Sequence, residues 1–110
     1  MSVAIRRLLV AYDIAEDQRR DRVAVELQRH GERVQYSVFL VDGRPAEFVR
    51  LRQVLLVLID PDADRVLFCD LGDRDQRARR ATTFIGRQAR LSGDEPVSYT
   101  HLTLPTKRIV

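Results

Sequence analysis

One aspartate stands where an apolar segment ends, and it is the residue best placed to do chemistry. Asp13 follows the apolar run at residues 8–12, and a charged segment comes directly after it. A carboxylate at such a point can bind a hard cation such as Mg²⁺, which takes one or two carboxylates together with water and substrate phosphate. A single carboxylate is a poor cage for the ion. The sequence therefore suggests that a partner chain supplies a second Asp13, in a symmetric dimer that acts on a phosphate-bearing polymer.

Asp13 also has a structural interpretation. The spacing from Asp13 to Glu16 is close to that of a capping box, in which the first residue accepts a hydrogen bond from the start of a helix. Taken alone, the residue pattern favours the helix cap over the metal ligand. The two roles are compatible, and both stay open at this point.

Positive charge in this chain is carried almost entirely by arginine, with Lys107 as the only lysine. The net charge is +3, and arginine forms bidentate contacts with phosphate. A genome rich in G and C would produce the same bias, so composition alone does not decide the cause. The densest basic cluster is Arg77, Arg79 and Arg80, which we name as candidates for contact with a nucleic-acid backbone. The alternative is a solvated loop.

The apolar periodicity predicts a compact α+β domain. The predicted elements, in chain order, are a strand at 3–12, a helix at 16–30 stopped by Gly31, an extended run at 33–42, a helix at 45–59 and a strand at 65–71 that buries Cys69. If the extended run supplies two strands, the order is the βαββαβ of the ferredoxin-like plan, with two helices on one face of a four-stranded antiparallel sheet. The other face would need cover, which again points to a dimer. Residues 81–86 are predicted to form one more strand, paired with the edge of the partner subunit.

The limits of the domain are predicted at residues 1–97. Residues 98–110 lack the arginine- and valine-rich composition of the rest of the chain and resemble translated sequencing-adapter read-through. We therefore expect a non-native or disordered tail. The N-terminus has no secretory h-region, and no apolar run approaches the ~20 residues of a membrane span. Cys69 is the only cysteine, which excludes an intrachain disulfide. These features predict a cytoplasmic protein with no membrane partner.

Three segments together carry a resemblance. Tyr12-Asp13-Ile14, the pair Arg19-Arg20 and the string Arg-Val-Gln-Tyr-Ser-Val-Phe at 33–39 resemble the CRISPR-associated protein 2 family, over roughly residues 3–97. The resemblance implies a homodimer with its sheets face to face and the strand at 81–86 paired across the subunits. It implies that the dimer bridges two dimers of the CRISPR-associated protein 1 integrase. The assembly would hold a DNA duplex, the protospacer, for insertion into the CRISPR array.

The resemblance also implies roles for single residues. Some members are Mg²⁺-dependent endonucleases of RNA or double-stranded DNA, with Mn²⁺ as the alternative metal, and others serve only as scaffold. By position, Asp13 is the metal-binding and catalytic residue with Tyr12 beside it. Residues matching positions linked to substrate contact are Arg20, Arg22, Arg33 and Phe39.

We rank the scaffold role above the nuclease role, because one acidic residue per subunit provides few groups for catalysis. Whether the chain is itself an enzyme is left open here. Leu40 stands where many members of the family carry an acidic residue, which puts the local turn in doubt but not the Asp13 site. The alternative function is a ferredoxin-like RNA-binding or toxin-type ribonuclease module unrelated to spacer acquisition.

Overall fold

The computed structural model describes residues 4–87 and residue 91. Its elements, in chain order, are β1 (Arg6–Asp13), α1 (Asp17–Gln28), β2 (Gly31–Gln35), β3 (Val38–Gly43), α2 (Pro45–Leu58), β4 (Arg65–Asp73) and α3 (Arg77–Ala81). The extended run predicted at 33–42 is two strands, because the chain turns at Tyr36 and Ser37. Within the described part of the chain, no helix is both long and apolar enough to cross a membrane.

The four strands form one antiparallel sheet in the order β2-β3-β1-β4. β1 is central, with Ala11 opposite Val38 of β3 and Asp13 opposite Arg65 of β4. This is the ferredoxin-like arrangement that the sequence predicts. The end of β1 therefore lies beside the turn between β2 and β3, and this places the two longest motifs of the sequence at the same end of the sheet.

The two long helices cover one face of the sheet. Leu8, Val10 and Tyr12 alternate along β1 and point to that face, because successive side chains of a strand project to opposite sides. They form the core together with apolar side chains from the helices and from β3, namely Val23, Ala24, Leu27, Phe39, Val41, Phe48, Leu51 and Leu55. One continuous apolar cluster thus holds the sheet and both helices together.

Among residues 4–87 and 91, no long helix covers the opposite side of the sheet, and we call this side the open face. Leu9, Ala11 and Asp13 point to it from β1, beside Cys69 and Leu67 of β4. Leu67 is 57% exposed and Cys69 is also exposed. The prediction that Cys69 is buried is therefore wrong for the single chain, because its strand has only one covered side.

The other end of the same side is partly closed. Arg7 is almost completely buried there and donates to both carboxylate oxygens of Asp42, at 2.7 and 3.0 Å. Leu91 joins Arg7, Leu40 and Asp42 around a cavity of about 250 Å³. The uncovered apolar part of the open face is consequently its half near Asp13, which includes Leu67.

The ends of α1 differ from those predicted. Glu16 is the N-cap, because its carboxylate accepts hydrogen bonds from the backbone N–H groups of Arg19 and Gln18 at 2.9 and 3.0 Å. The prediction that Asp13 caps this helix is therefore wrong. Gly31 does not end the helix in a left-handed conformation. It is the first residue of β2, where a side chain would overlap the carbonyl oxygen of Leu40.

The segment after β4 also differs from its prediction. Residues 77–81 form the short helix α3, and Ala78 is fully buried where that helix packs on β4. The strand predicted at 81–86 is not formed in the single chain, since Ala81 ends α3 and residues 82–87 pair with no strand of the described sheet. Pairing with a partner subunit stays a prediction. The predicted tail at 98–110 lies outside the described residues.

Candidate functional site

Asp13 is an exposed residue at the end of the open face. It is the last residue of β1, and in the register of the sheet it lies opposite Arg65 of β4. Its carboxylate is not used as a helix cap, because Glu16 takes that role. The side chain is therefore available to a ligand or to a second copy of the chain that covers this face.

The connection that follows Asp13 is held by a buried carboxylate. The Asp64 side chain has no exposed surface and accepts hydrogen bonds from the backbone N–H of Ala15 at 3.1 Å and from Arg19 Nε at 2.7 Å. It also accepts from the backbone N–H of Asp60 at 2.9 Å. The Arg19 guanidinium, with these N–H groups, holds the pKa of the Asp64 carboxyl well below its usual range despite burial.

These contacts tie the β1–α1 connection to the α2–β4 loop, so Asp64 fixes the backbone two residues beyond Asp13. Reasoning from the residue pattern missed this role. No periodicity in the sequence marks a residue whose carboxylate accepts hydrogen bonds from Ala15, Arg19 and Asp60, which lie in separate parts of the chain.

Tyr12 supports the site from inside the protein. Its ring is only 6% exposed, and its hydroxyl donates a hydrogen bond to the carbonyl oxygen of Tyr36 at 3.4 Å. Its backbone N–H donates to the carbonyl oxygen of Ser37 at 3.1 Å. The ring therefore anchors the turn between β2 and β3 from within the core, and a catalytic role for Tyr12 stays a prediction.

Phe39 also lies in the core. Its side chain is fully buried in the single chain, and its contact with nucleic acid stays a prediction. The ring lies 6.2 Å from that of Tyr12 and 5.2 Å from the guanidinium of Arg33. Phe39 thus supports Arg33, which is itself exposed and free to reach a phosphate from this position.

The other two predicted contacts on α1 differ from each other. Arg20 donates to the carbonyl oxygen of Ile14 at 2.9 Å and pairs with Asp17, and this pairing raises the pKa of its guanidinium. These two contacts hold the Arg20 side chain at the start of α1. Arg22 is exposed on α1 and remains a candidate for phosphate contact.

The α3 arginines, which are Arg77, Arg79 and Arg80, lie in a different region. All three are exposed, but the chain leaves β4 at Asp73, opposite Arg6, which is the end of β1 remote from Asp13. The two ends of an eight-residue strand are roughly 23 Å apart. The structure therefore separates the α3 arginines from the end of the sheet where β1 ends at Asp13 and β2 turns into β3.

A single chain does not complete a metal site in its described part. Residues 4–87 and 91 contain no group of three or more His, Cys, Asp or Glu side chains arranged to hold an ion. Asp13 alone offers a hard carboxylate ligand of the kind Mg²⁺ prefers. The donor set fits Mg²⁺ when a second chain adds its own Asp13 and water or phosphate supplies the remaining oxygens.

The relationship to known proteins follows from the matched residues. The family model for CRISPR associated protein Cas2 matches residues 6–79, which is most of the described domain. The chain belongs to the Cas2 family. The match includes Asp13, Arg33 and two of the α3 arginines, and it ends before residues 81–86. The toxin-type module unrelated to CRISPR is set aside by this membership.

Relatives and solved structures agree with the family. The chain is 40% identical over 74 residues to a protein of Chlorobaculum tepidum named CRISPR-associated endoribonuclease Cas2, covering 63% of this chain and 77% of that protein. A Chloroflexus aurantiacus protein of the same name is 41% identical over 80 residues, covering 71% and 81%. The crystal structure of Streptococcus pyogenes Cas2 aligns with a TM-score of 0.64 at 33% identity, covering 73% of this chain and 99% of that one.

Proposed function

We propose that this Cas2 chain acts as a homodimeric subunit of CRISPR adaptation that binds duplex DNA and bridges integrase dimers. We further propose that the paired Asp13 residues give the dimer a metal-dependent endonuclease activity. The observation that carries the proposal is the exposed Asp13 at the end of an uncovered apolar sheet face. A twofold axis across that face would bring two carboxylates to one place.

Burial of the open face supports the dimer. Leu67, Leu9 and Ala11 offer an apolar surface that a lone subunit leaves in contact with water. Large uncovered apolar patches mark interaction sites in proteins. A second copy is the natural occupant, since an isologous contact places each residue near its own counterpart or its neighbours. The same pairing would supply the second Asp13 that the metal site lacks.

Different residues of the chain would have different roles at this site. Asp13 would hold the ion, Arg22 and Arg33 would contact phosphate oxygens, and Asp64 keeps the backbone after Asp13 in place. When bound, Mg²⁺, or Mn²⁺ in its place, supplies charge neutralisation at the scissile phosphate and lowers the pKa of a bound water. Hydrolysis then forms a bond from the water oxygen to phosphorus and releases the ester oxygen with a proton.

The α3 arginines support the scaffold role. They follow the end of β4 that pairs with Arg6, and the two ends of β1 are roughly 23 Å apart, so α3 begins at the end of the sheet remote from Asp13. Exposed arginines at that distance suit backbone contacts along a duplex, which give affinity without reading sequence. Two such groups in a dimer would present an extended basic surface to DNA, with integrase subunits docking beside it.

The test of the nuclease site is Asp13→Asn. This change keeps the size of the side chain and removes its charge, so we expect cleavage of RNA and of double-stranded DNA in Mg²⁺ to fall to background. Asp21→Asn is the matched control, because it removes an exposed carboxylate from α1 without touching β1. Cleavage that persists in purified Asp13→Asn protein would rule out the Asp13 mechanism.

The scaffold role is tested separately by reconstituting spacer integration with the CRISPR-associated protein 1 integrase. We expect Asp13→Asn to support integration at the wild-type level, because its dimer and basic surface are intact. A wild-type chain that forms no complex with the integrase would contradict the bridging role while leaving the nuclease test unaffected.

A further inference from the structure

Tyr36 is an exposed aromatic residue at the same end of the sheet as Asp13. It lies in the turn between β2 and β3 and is 71% exposed. An aromatic ring that stays exposed at a turn keeps apolar surface in contact with water, which is unfavourable, and it adds nothing to the core. Tyr36 therefore adds little to the core, and its side chain meets two arginines: Arg33, whose guanidinium lies over its ring, and Arg20, whose pKa it helps to raise.

The backbone under Tyr36 is held rigidly although its ring is exposed. The carbonyl oxygens of Tyr36 and Ser37 accept hydrogen bonds from the hydroxyl and the backbone N–H of Tyr12. Tyr12 is the residue immediately before Asp13. The backbone of the turn is thus fastened to β1 at the residue that precedes Asp13.

A series of π and cationic groups leads from the core to Tyr36. The Tyr12 and Phe39 rings stack at 6.2 Å with an interplanar angle of 28°. The Arg33 guanidinium then lies 5.2 Å from the Phe39 ring and 5.8 Å from the Tyr36 ring. Stacked contacts of this kind orient an aromatic ring, and most of the Tyr36 ring surface remains open to a further planar group.

We propose that Tyr36 is a stacking platform for an unpaired nucleobase of a polynucleotide bound at this end of the sheet. The inference rests on the proposed function, which brings a polynucleotide to this surface. Bases within a duplex are already stacked on their neighbours, whereas an unpaired base has a free face for an aromatic ring. Arg33 serves this platform twice, as support for the ring and as a contact for the adjoining phosphate.

Base stacking on an aromatic side chain changes affinity by roughly 5- to 150-fold per base. We expect Tyr36→Ala to weaken binding of a short single-stranded oligonucleotide within that range and to leave the affinity for a blunt duplex unchanged. Tyr36→Phe should bind like the wild type, because the ring is retained, and Tyr36→Leu should bind like Tyr36→Ala. Val57→Ala is the control, since it removes an 83% exposed apolar side chain from α2.

An abasic site in the oligonucleotide separates stacking from general loss of contact. Removing the stacked base should weaken binding to the wild type and have no further effect on Tyr36→Ala. A fluorescent adenine analogue at the same position should lose emission on binding the wild type and keep it on binding the variant. Equal affinity of wild type and Tyr36→Ala for the single strand, or full binding by Tyr36→Leu, would overturn the proposal. So would an abasic effect that is the same in both proteins.

These measurements are made without divalent metal, so they do not depend on the Asp13 chemistry. If Tyr36→Ala binds normally while Asp13→Asn abolishes cleavage, the platform is refuted and the nuclease stands. If the stacking signals are present while Asp13→Asn still cleaves, the platform stands and the metal site is refuted. A Tyr36→Ala variant that changes only the oligomeric state would assign the ring to a protein contact and reject the platform.

Discussion

The residue that holds the Asp13 region in place is a carboxylate that never reaches solvent. Asp64 satisfies the N–H groups of Ala15 and Asp60 and pairs with Arg19, so it joins two loops that are far apart in the sequence. Charge-assisted hydrogen bonds of this kind are stronger than neutral ones. The geometry around Asp13 therefore depends on a residue that does not touch a substrate.

This arrangement predicts a pH dependence of stability. The pKa of Asp64 is lower in the folded chain than in the unfolded chain, so the unfolded chain takes up the proton first as the pH falls. Its contribution is present above about pH 4 and is lost below that value. We expect Asp64→Asn to be less stable than the wild type at pH 7, with the difference shrinking between about pH 5 and pH 2.

Denaturant unfolding at a series of pH values measures this difference. Asp62→Asn is the matched control, because it removes an exposed carboxylate from the same loop. Its free energy of unfolding should follow that of the wild type at every pH. A difference between wild type and Asp64→Asn that stays constant across the acid range would show that Asp64 does not act through its charge.

At the scale of single elements, the junction between α1 and β2 is the tightest point of the fold. β2 begins at Gly31, only three residues after the last residue of α1, and pairs at once with β3. A Cβ at Gly31 would overlap the carbonyl oxygen of Leu40 and lie 2.8 Å from the Cα of Val41. Because both atoms belong to the backbone, the clash is relieved only by moving the strand.

Gly31→Ala should therefore destabilise the fold by more than the usual ~1–3 kcal/mol of an overpacked site. Gly43→Ala is the comparison. A Cβ there meets side-chain atoms of Glu47 and Phe48 at 3.0 and 3.2 Å, and these can shift. We expect a smaller loss at Gly43, measured by urea unfolding of both variants. Equal losses would mean that the β2–β3 pairing adjusts as easily as a side chain does.

At the scale of the whole molecule, the open face decides whether the chain works alone. Leu67→Asp introduces a charge at the centre of the apolar half of that face, where a dimer would bury it without a partner. We expect a folded monomer by sedimentation equilibrium and circular dichroism. Val57→Asp, at an exposed position of α2 in the helix layer, should remain dimeric. A Leu67→Asp protein that stays dimeric would place the subunit contact elsewhere.

The separation of the two basic regions predicts a salt effect on DNA binding. Each phosphate contact adds about 0.9 to the slope of log affinity against log salt for duplex DNA. Replacing Arg79 and Arg80 with alanine should lower the slope by about 1.8. Replacing Arg50 and Arg52, which are exposed on α2, removes the same charge and should leave the slope unchanged. If the slope decreases equally in both double variants, the effect comes from the net positive charge of the protein and not from contacts made by α3.

The amino-acid pattern was sufficient for the elements that local chemistry controls. The near-continuous apolar run of β1 and the apolar stripe of α2 predicted the ferredoxin-like order, because segments that bury apolar side chains stand out in the sequence. The long motif at 33–39 and its distance from Asp13 indicated the family. The cap suggested at Asp13 is made by Glu16, three residues later. The helix stop predicted at Gly31 was wrong, because this glycine is needed for the close pairing of β2 with β3.

Only the tertiary structure decided which side chains share a surface. Tyr12 and Phe39 turned out to be supports, Tyr36 turned out to be exposed, and the α3 arginines lie at the far end of the sheet from Asp13. Those outcomes depend on antiparallel register and on which strand face the helices cover. Register is set by contacts between residues distant in the chain. A periodic pattern shows that a residue is buried, but it does not show which residues pack against it.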